Sequence, residues 1–475
     1  MSKQQLLQKM TAHNIIRERS GFCRMMFLVA IYLVISLGNP ISAQKPKEAL
    51  KPNFLVIIAD DAGWNDVGYN GSEVQTPNLD LLAKSSVRLD RFYVNPTCSP
   101  TRASFLTGMP ASRMGIVAPI AGRSEKKLPD TVITLPQQLR KRNYQTALFG
   151  KWHLGLKPSS GPKAYGFDYA YGFLHGQIDQ YSHEYKNGDP SWHRNGEFIE
   201  EDGHATDLIG EETMTWLHSK RDTTKNFYVQ LAYSAPHYPL QEEERWKKRY
   251  LKSIENESRR DFAAAMTHMD DNIGQVLKTL KELDLDKNTI VIFMSDNGGM
   301  PSWYPGNQYN GKHGPNSVLG NNLPLRDWKK SNYEGGIRVP AIISWKRKLA
   351  SSINTDYISV IDVMPTLLEL SGATSIPETV EGKSIWTSLV SGKSWSNEIY
   401  VRGHLQESLT KKPWKLIRTR HRGGVPTEFE LYNLEIDPEE KDNVYSDEAT
   451  IAKDLNERLQ KQFAKDAPTV NAEIN

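Results

Sequence analysis

Two acidic pairs lie far apart in the chain, and each closes a short apolar run. Asp60-Asp61 follows Phe54 to Ala59, and Asp296-Asn297 follows Ile290 to Met294 and a serine. Adjacent carboxylates repel, so a buried pair requires a cation or a proton to offset its charge. A single Asp-Asp also reads as a helix cap beside a solvated neighbour; the second pair, at the end of a second run, favours one shared site. Carboxylate and amide oxygens are hard donors that suit Ca2+ or Mg2+ better than zinc. A third run, Phe227 to Ala232, leads into Ser234-Ala235-Pro236-His237 and adds an imidazole. Cys98 lies within Asn95 to Gly108, where Pro100 is placed to open a helix and to leave Cys98 at or just before its N-terminus. Free N–H groups there favour anions and can lower a thiol pKa, so an ordinary reactive cysteine is one reading.

The three runs read as buried strands of a largely parallel sheet, and ligands in open α/β sheets gather beyond the carboxyl ends of strands. Residues distant in sequence then meet at one edge. Helices are expected at Thr76 to Ala83 and from Leu135, each with a Pro near its start, and over Phe262 to Leu283, whose apolar residues recur near the 3.6 period. Gly298 to Asn322, rich in Gly, Asn and Pro, reads as a long functional loop. The composition shifts near residues 372–398; beyond it, Ile399 to Arg402, Trp414 to Arg418 and Glu428 to Tyr432 read as strands, and Ala449 to Phe463 as an amphipathic helix. The expected layout is a large α/β domain over 44–385 and a smaller α+β domain with an antiparallel sheet over 386–475.

A chain of 475 residues has room for roughly three domains, or two if one is a large α/β unit. Its 33 Gly and 26 Pro are ordinary for a globular protein and exclude collagen-like and low-complexity readings. Hydrophobic content of 38% with 24% charged residues excludes wholesale disorder and a multi-span membrane protein. Residues 1–43 carry five basic residues, then the apolar run Met25 to Leu37, then Ser42-Ala43, the pattern of a cleaved secretory signal; the run is too short for a stable membrane span. Its loss moves the net charge from +3 to −1, which removes the basis for a nucleic-acid reading. The expected location is secreted or periplasmic. Cys23 leaves with the signal, so Cys98 is the sole cysteine of the expected mature chain and has no disulfide partner.

Cys98-Ser99-Pro100-Thr101-Arg102 resembles the Cys-x-Pro-x-Arg motif at which type I sulfatases convert cysteine to formylglycine. The resemblance extends over nearly the whole mature length. Gly150 to Gly155 is similar to the family's second signature, Ala235-Pro236-His237 to its catalytic histidine segment, and Trp328 to Arg338 to its segment with a lysine ahead of Glu-Gly-Gly. It implies an alkaline-phosphatase-like α/β fold and, at position 98, a formylglycine whose hydrate is the nucleophile, produced by a formylglycine-generating or anaerobic sulfatase-maturating enzyme. Asp60, Asp61, Asp296 and Asn297 are implied to hold Ca2+ together with residue 98. Arg102 is implied to steady the hydrate, Lys151 and Lys329 to contact sulfate, His153 to take a proton and His237 to act near the leaving oxygen. The family places its lysine five residues before the glutamate, which favours Lys329 over Lys330. One departure is Met109, where the family often has arginine.

These residue types match the task. A sulfate ester is an anion that resists an anionic nucleophile, so a divalent cation, Arg102 and two lysines would offset the charge on the transferring group. Gly166-Phe167-Asp168, Tyr171-Gly172-Phe173 and Tyr181 to Glu184 are similar to arylsulfatase B and polysaccharide sulfatases. That similarity implies a carbohydrate sulfate, with a 4-sulfated galacto-configured sugar of a glycosaminoglycan or algal galactan among the candidates. Two alternatives stand beside it: a phosphonate or phosphodiester hydrolase of the same superfamily, and a sulfated-glycan-binding protein without turnover. His183, His193, His204, His313 and Trp303 are left without a role.

Overall fold

The structure, a computed structural model, describes residues 51–469 apart from Asn187 and Arg422. The expected signal segment lies outside these residues. Eleven strands form the large sheet: β1 (Asn53–Ala59), β2 (Val87–Tyr93), β3 (Tyr144–Lys151), β4 (Tyr169–Phe173), β5 (Trp192–Arg194), β6 (Glu197–Phe198), β7 (Asn226–Ala232), β8 (Thr289–Ser295), β9 (Arg338–Val339), β10 (Ala341–Ser344) and β11 (Ser352–Ser359). Their order is β11-β2-β10-β8-β1-β7-β3-β4-β5-β6, with β9 also paired to β2. The central strands β8, β1, β7, β3 and β4 run parallel, and antiparallel pairs lie toward the flanks. The mostly parallel sheet expected from the apolar runs is present.

β1 shows why this sheet sits between two helical layers. Phe54, Val56 and Ile58 enter a core with Ala103, Phe105 and Leu106, from the helix Cys98–Thr107, and with Met364 and Leu367. Leu55, Ile57 and Ala59 enter the opposite core with Phe262, Met266, Met269 and Ile273 of the helix Glu257–Glu282. Successive side chains of a strand point to opposite faces, so a strand apolar at every position must be covered on both. The long helix starts at Glu257, ahead of its first apolar residue, because the Asn256 side chain accepts the Arg259 N–H at 3.0 Å and caps it. Among the described residues no helix is long and apolar enough to cross a membrane.

A second, antiparallel sheet has four strands: β12 (Ile399–Arg402), β13 (Gln406–Lys411), β14 (Trp414–Thr419) and β15 (Glu428–Asn433). The sequence reading lacked β13. Its Glu407 is a buried carboxylate two residues from Leu409, neutralised by Arg418 at 3.0 Å and Arg420 at 2.8 Å, so no apolar alternation marks the strand. One face of this sheet shares a core with Tyr93, Ile337 and Tyr357 of the large domain, and the other is covered by Leu455 and Leu459 of the helix Ala449–Phe463.

The segment after His237 is fastened to the helices by His268. Its Nδ1 lies 2.7 Å from Glu242 and its Nε2 2.8 Å from Asp207, while His204 approaches Glu242 at 3.5 Å and Trp246 stacks on the His268 ring. Burial lowers the His268 pKa, but the two carboxylates prevail and hold it up at about 9. Stability from this imidazolium is complete below the ordinary 6.5 and is lost as pH rises through 9. The expected loss is about 3 kcal/mol. Urea denaturation across that range should show it in the wild type and a flatter profile in His268→Gln; equal pH slopes would refute it.

Candidate active site

Sheet register brings the candidate residues together. Ala59 pairs with Ser295 between β1 and β8, Ile58 with Ala232 between β1 and β7, and Gly150 with Ala232 between β3 and β7. Asp60, Asp296, Lys151 and the Ser234–His237 segment therefore leave the sheet at one edge. The Asp60 N–H donates to the Ala235 carbonyl and the Asp296 N–H to the Ala59 carbonyl, each at 3.1 Å. Cys98 reaches the same place as the first residue of its helix, whose preceding Thr97 provides no side-chain cap. Its sulfur can lie within 4.8 Å of Asp60 and Asp296 oxygens.

Each carboxylate has its own cation. Lys151 Nζ donates to Asp60 Oδ2. Lys329 Nζ donates to Asp61 Oδ1 at 2.6 Å, and Asn297 Nδ2 to the same oxygen at 2.7 Å. Arg102 grips Asp296 Oδ2 through Nε at 3.1 Å and Nη2 at 2.7 Å, and its Nη1 donates to the Lys151 carbonyl at 3.1 Å. All of these side chains are buried, Lys151 and Asp296 completely. Lys330, by contrast, is exposed with φ +84°. The lysine segment is held by close backbone contact: a Cβ on Gly335 would stand 2.3 Å from the Asp327 carbonyl oxygen, and one on Gly336 2.1 Å from that of Ser331. Asp61 and His153 adopt left-handed φ of 70° and 60°, a strain that commonly gathers at functional sites.

Proton positions follow from the hydrogen bonds. His153 Nε2 lies 2.9 Å from the Ile120 carbonyl, which can only accept, so the proton sits on Nε2 and the Nδ1 lone pair is free in the interior. Burial, with Lys151 and Arg102 adding to it, holds the ring well below the usual histidine range, so it is a neutral base. His237 Nδ1 donates to the Tyr238 carbonyl at 2.7 Å and its Nε2 faces Asp61 Oδ2 at 3.6 Å; burial brings this ring down to about 3. Burial pushes the Cys98 thiol up, with Lys151 and Lys329 opposing. The lowered thiol pKa of an ordinary reactive cysteine is thus absent, because desolvation of the thiolate outweighs the nearby positive charges.

Three buried oxygens in this cluster, Asp60 Oδ1, Asp61 Oδ2 and Asn297 Oδ1, have no hydrogen-bond donor. Unsatisfied acceptors are expensive in an interior. Burial and the facing Asp296 carboxylate also push Asp60 up to about 8, against Lys151. Both features mark a place where three unpartnered acceptors, all oxygens, converge, which fits a hard divalent cation.

A sulfatase family model matches residues 52–373, more than half of the chain. The chain belongs to the sulfatase family. A second model, described as N-sulphoglucosamine sulphohydrolase, C-terminal, matches residues 327–466. Arylsulfatase J of Mus musculus is 34% identical over 354 residues, covering 72% of this chain and 56% of that relative. N-acetylgalactosamine-6-sulfatase of Mus musculus is 28% identical, covering 81% of this chain and 75% of the other. Among solved structures, Ps i-CgsB in complex with k-i-k-neocarrahexaose superposes with a TM-score of 0.80 at 28% identity, covering 90% of this chain and 95% of that one. The two-sheet architecture is the alkaline-phosphatase-like fold of sulfatases, and the protein is an enzyme of sulfate ester hydrolysis.

Two side chains without a role in the sequence reading stand beside this sulfatase's site. Tyr238 packs on His237 with ring centroids 4.0 Å apart, and Trp303 stacks on Tyr238 at 4.4 Å. Only the position of Tyr238 next to His237 could have drawn attention to it. Trp303 lies 65 residues further on, beyond the reach of local pattern.

Proposed function

We propose that this sulfatase removes sulfate from a carbohydrate, using Cys98 matured to formylglycine and a Ca2+ held by Asp60, Asp61, Asp296 and Asn297. The observation that carries the reading is the group of donorless buried oxygens beside residue 98 at its helix start. Formylglycine would supply the nucleophile there and Ca2+ would offset negative charge on the ester. Arg102, already locked by Asp296, adds fixed positive charge beneath residue 98. Lys151 and Lys329 neutralise Asp60 and Asp61 and provide the ammonium groups that sulfate requires. His153 Nδ1 is the buried base able to take a proton at residue 98. Lys329, beside His237 on the Asp61 side, carries the ammonium that stands ready to deliver one to the leaving oxygen.

The names of two relatives support a galacto-configured or galactan-type oligosaccharide: one acts on N-acetylgalactosamine 6-sulfate, and one binds a neocarrahexaose. Export to the periplasm or outside the cell, and maturation by a formylglycine-generating or anaerobic sulfatase-maturating enzyme, belong to the same reading.

The test uses the chain co-expressed with such a maturating enzyme. Mass spectrometry of the peptide spanning Thr97 to Arg102 should find the aldehyde. Sulfate release from defined sulfated oligosaccharides should disappear on chelation and return with Ca2+, and an aryl sulfate should outpace the matched phosphate ester. An unmodified thiol in active enzyme, or activity indifferent to chelation, would sink the proposal.

A further inference from the structure

Within the aromatic ladder beside His237, Tyr238 carries a free polar group. The Tyr238 ring is covered on one side by His237 and on the other by Trp303, whose plane lies within 16° of it. With both flanks occupied, the ring has no face left for stacking a ligand. Its hydroxyl differs. Among the described residues nothing hydrogen-bonds it, and it is not one of the buried polar atoms left without a partner, so it remains open to solvent on a half-buried residue. Burial first, opposed by Lys329 and aided by Asp61 and Cys98, pushes the phenol up to about 12. It is therefore a neutral hydroxyl at the mouth of the cluster that contains residue 98.

We infer that Tyr238 is a specificity-determining residue: its hydroxyl hydrogen-bonds the sugar next to the scissile sulfate, and Trp303 is the positioning residue that holds its ring. This rests on the carbohydrate reading above. In that reading the sulfate is met by Ca2+ and by the ammonium groups of Lys151 and Lys329, and a neutral phenol adds little there. A group that both donates and accepts suits a sugar hydroxyl. Trp303 is fixed by its loop: its N–H donates to the Asn316 carbonyl and the Asn316 N–H to its own carbonyl, both at 2.8 Å, while His313 of the same loop reaches Asp179 at 3.0 Å. The loop Gly298 to Asn322 thus sets where the Tyr238 hydroxyl stands.

Tyr238→Phe keeps the ring and both stacks and removes only the oxygen. On the oligosaccharide that the wild type turns over, kcat/KM should fall about tenfold through a rise in KM. The inhibition constant for inorganic sulfate and the unfolding midpoint should not move. Trp303→Ala should raise KM in the same direction. A Tyr238→Phe value within twofold of wild type would overturn the assignment, as would sulfate inhibition weakening in parallel, since the contact would then be to sulfate. Failure of the carbohydrate reading would appear in the wild-type enzyme itself, and failure of this assignment only in the variants.

Discussion

Cys98→Ala is expected to lose sulfate release by about 10,000-fold or more, because no other side chain in the site offers a nucleophile to take its place. Its fold should survive. Cys98 is only 2% exposed and exchanges one sulfur atom for a small void, at an expected loss of about 1 kcal/mol. The ion pairs around it, Arg102 with Asp296 and Lys151 with Asp60, do not involve the sulfur. Sulfate release should be measured together with the urea midpoint. Cys98→Ser that mass spectrometry shows unoxidised should fail as well, since a hydroxyl that attacks once has no second proton to lose and no aldehyde to regenerate. Wild-type rates in either variant would remove residue 98 from the chemistry. A lost fold in Cys98→Ala would recast the residue as structural.

Lys415→Met is expected to produce the largest stability loss. Lys415 on β14 places its ammonium 2.9 Å from Glu334 and 2.8 Å from Glu440, and none of the three side chains reaches solvent. The Glu334 N–H also donates to Glu440 at 2.6 Å, and Tyr93 donates to Glu334 at 3.0 Å. Burial, opposed by Lys415, leaves Glu440 up at about 7. Removing the ammonium strands Glu440 in the interior and leaves Glu334 with Arg338 at 3.7 Å as its remaining cation. Breaking a buried pair in this way costs about 3–5 kcal/mol, a large share of the roughly 5–15 kcal/mol of a typical domain. Activity should fall too, because Glu334 heads the Gly335-Gly336 turn packed against the Lys329 segment. Adding Glu440→Gln should recover part of the loss, since one stranded charge is gone. A urea-derived change below about 1 kcal/mol in the single variant would show that the trio is not holding the two sheets together.

Much of the site's composition was legible because its residues sit at strand ends and a helix start, where local pattern is strongest. The apolar runs before Asp60, Ser234 and Asp296 marked their strands, and Pro100 marked the helix that begins at Cys98. Elsewhere local pattern was silent. Glu407 interrupts the apolar face of β13 and hid that strand, and Lys415 reads as an ordinary charged position in a short strand although it is wholly buried.

The amino-acid order by itself determined which chemical groups are present, the buried strands that carry them, and the family whose motifs they resemble. Only the tertiary structure decided their partnerships: Asp60 with Lys151, Asp61 with Lys329, Asp296 with Arg102, and Tyr238 between His237 and Trp303. Periodicity reports which face of a strand or helix is buried, a local property of neighbouring side chains. Ion pairs and ring stacks between residues as far apart as Asp61 and Lys329 depend on strand order and register, which are fixed by packing of the whole sheet.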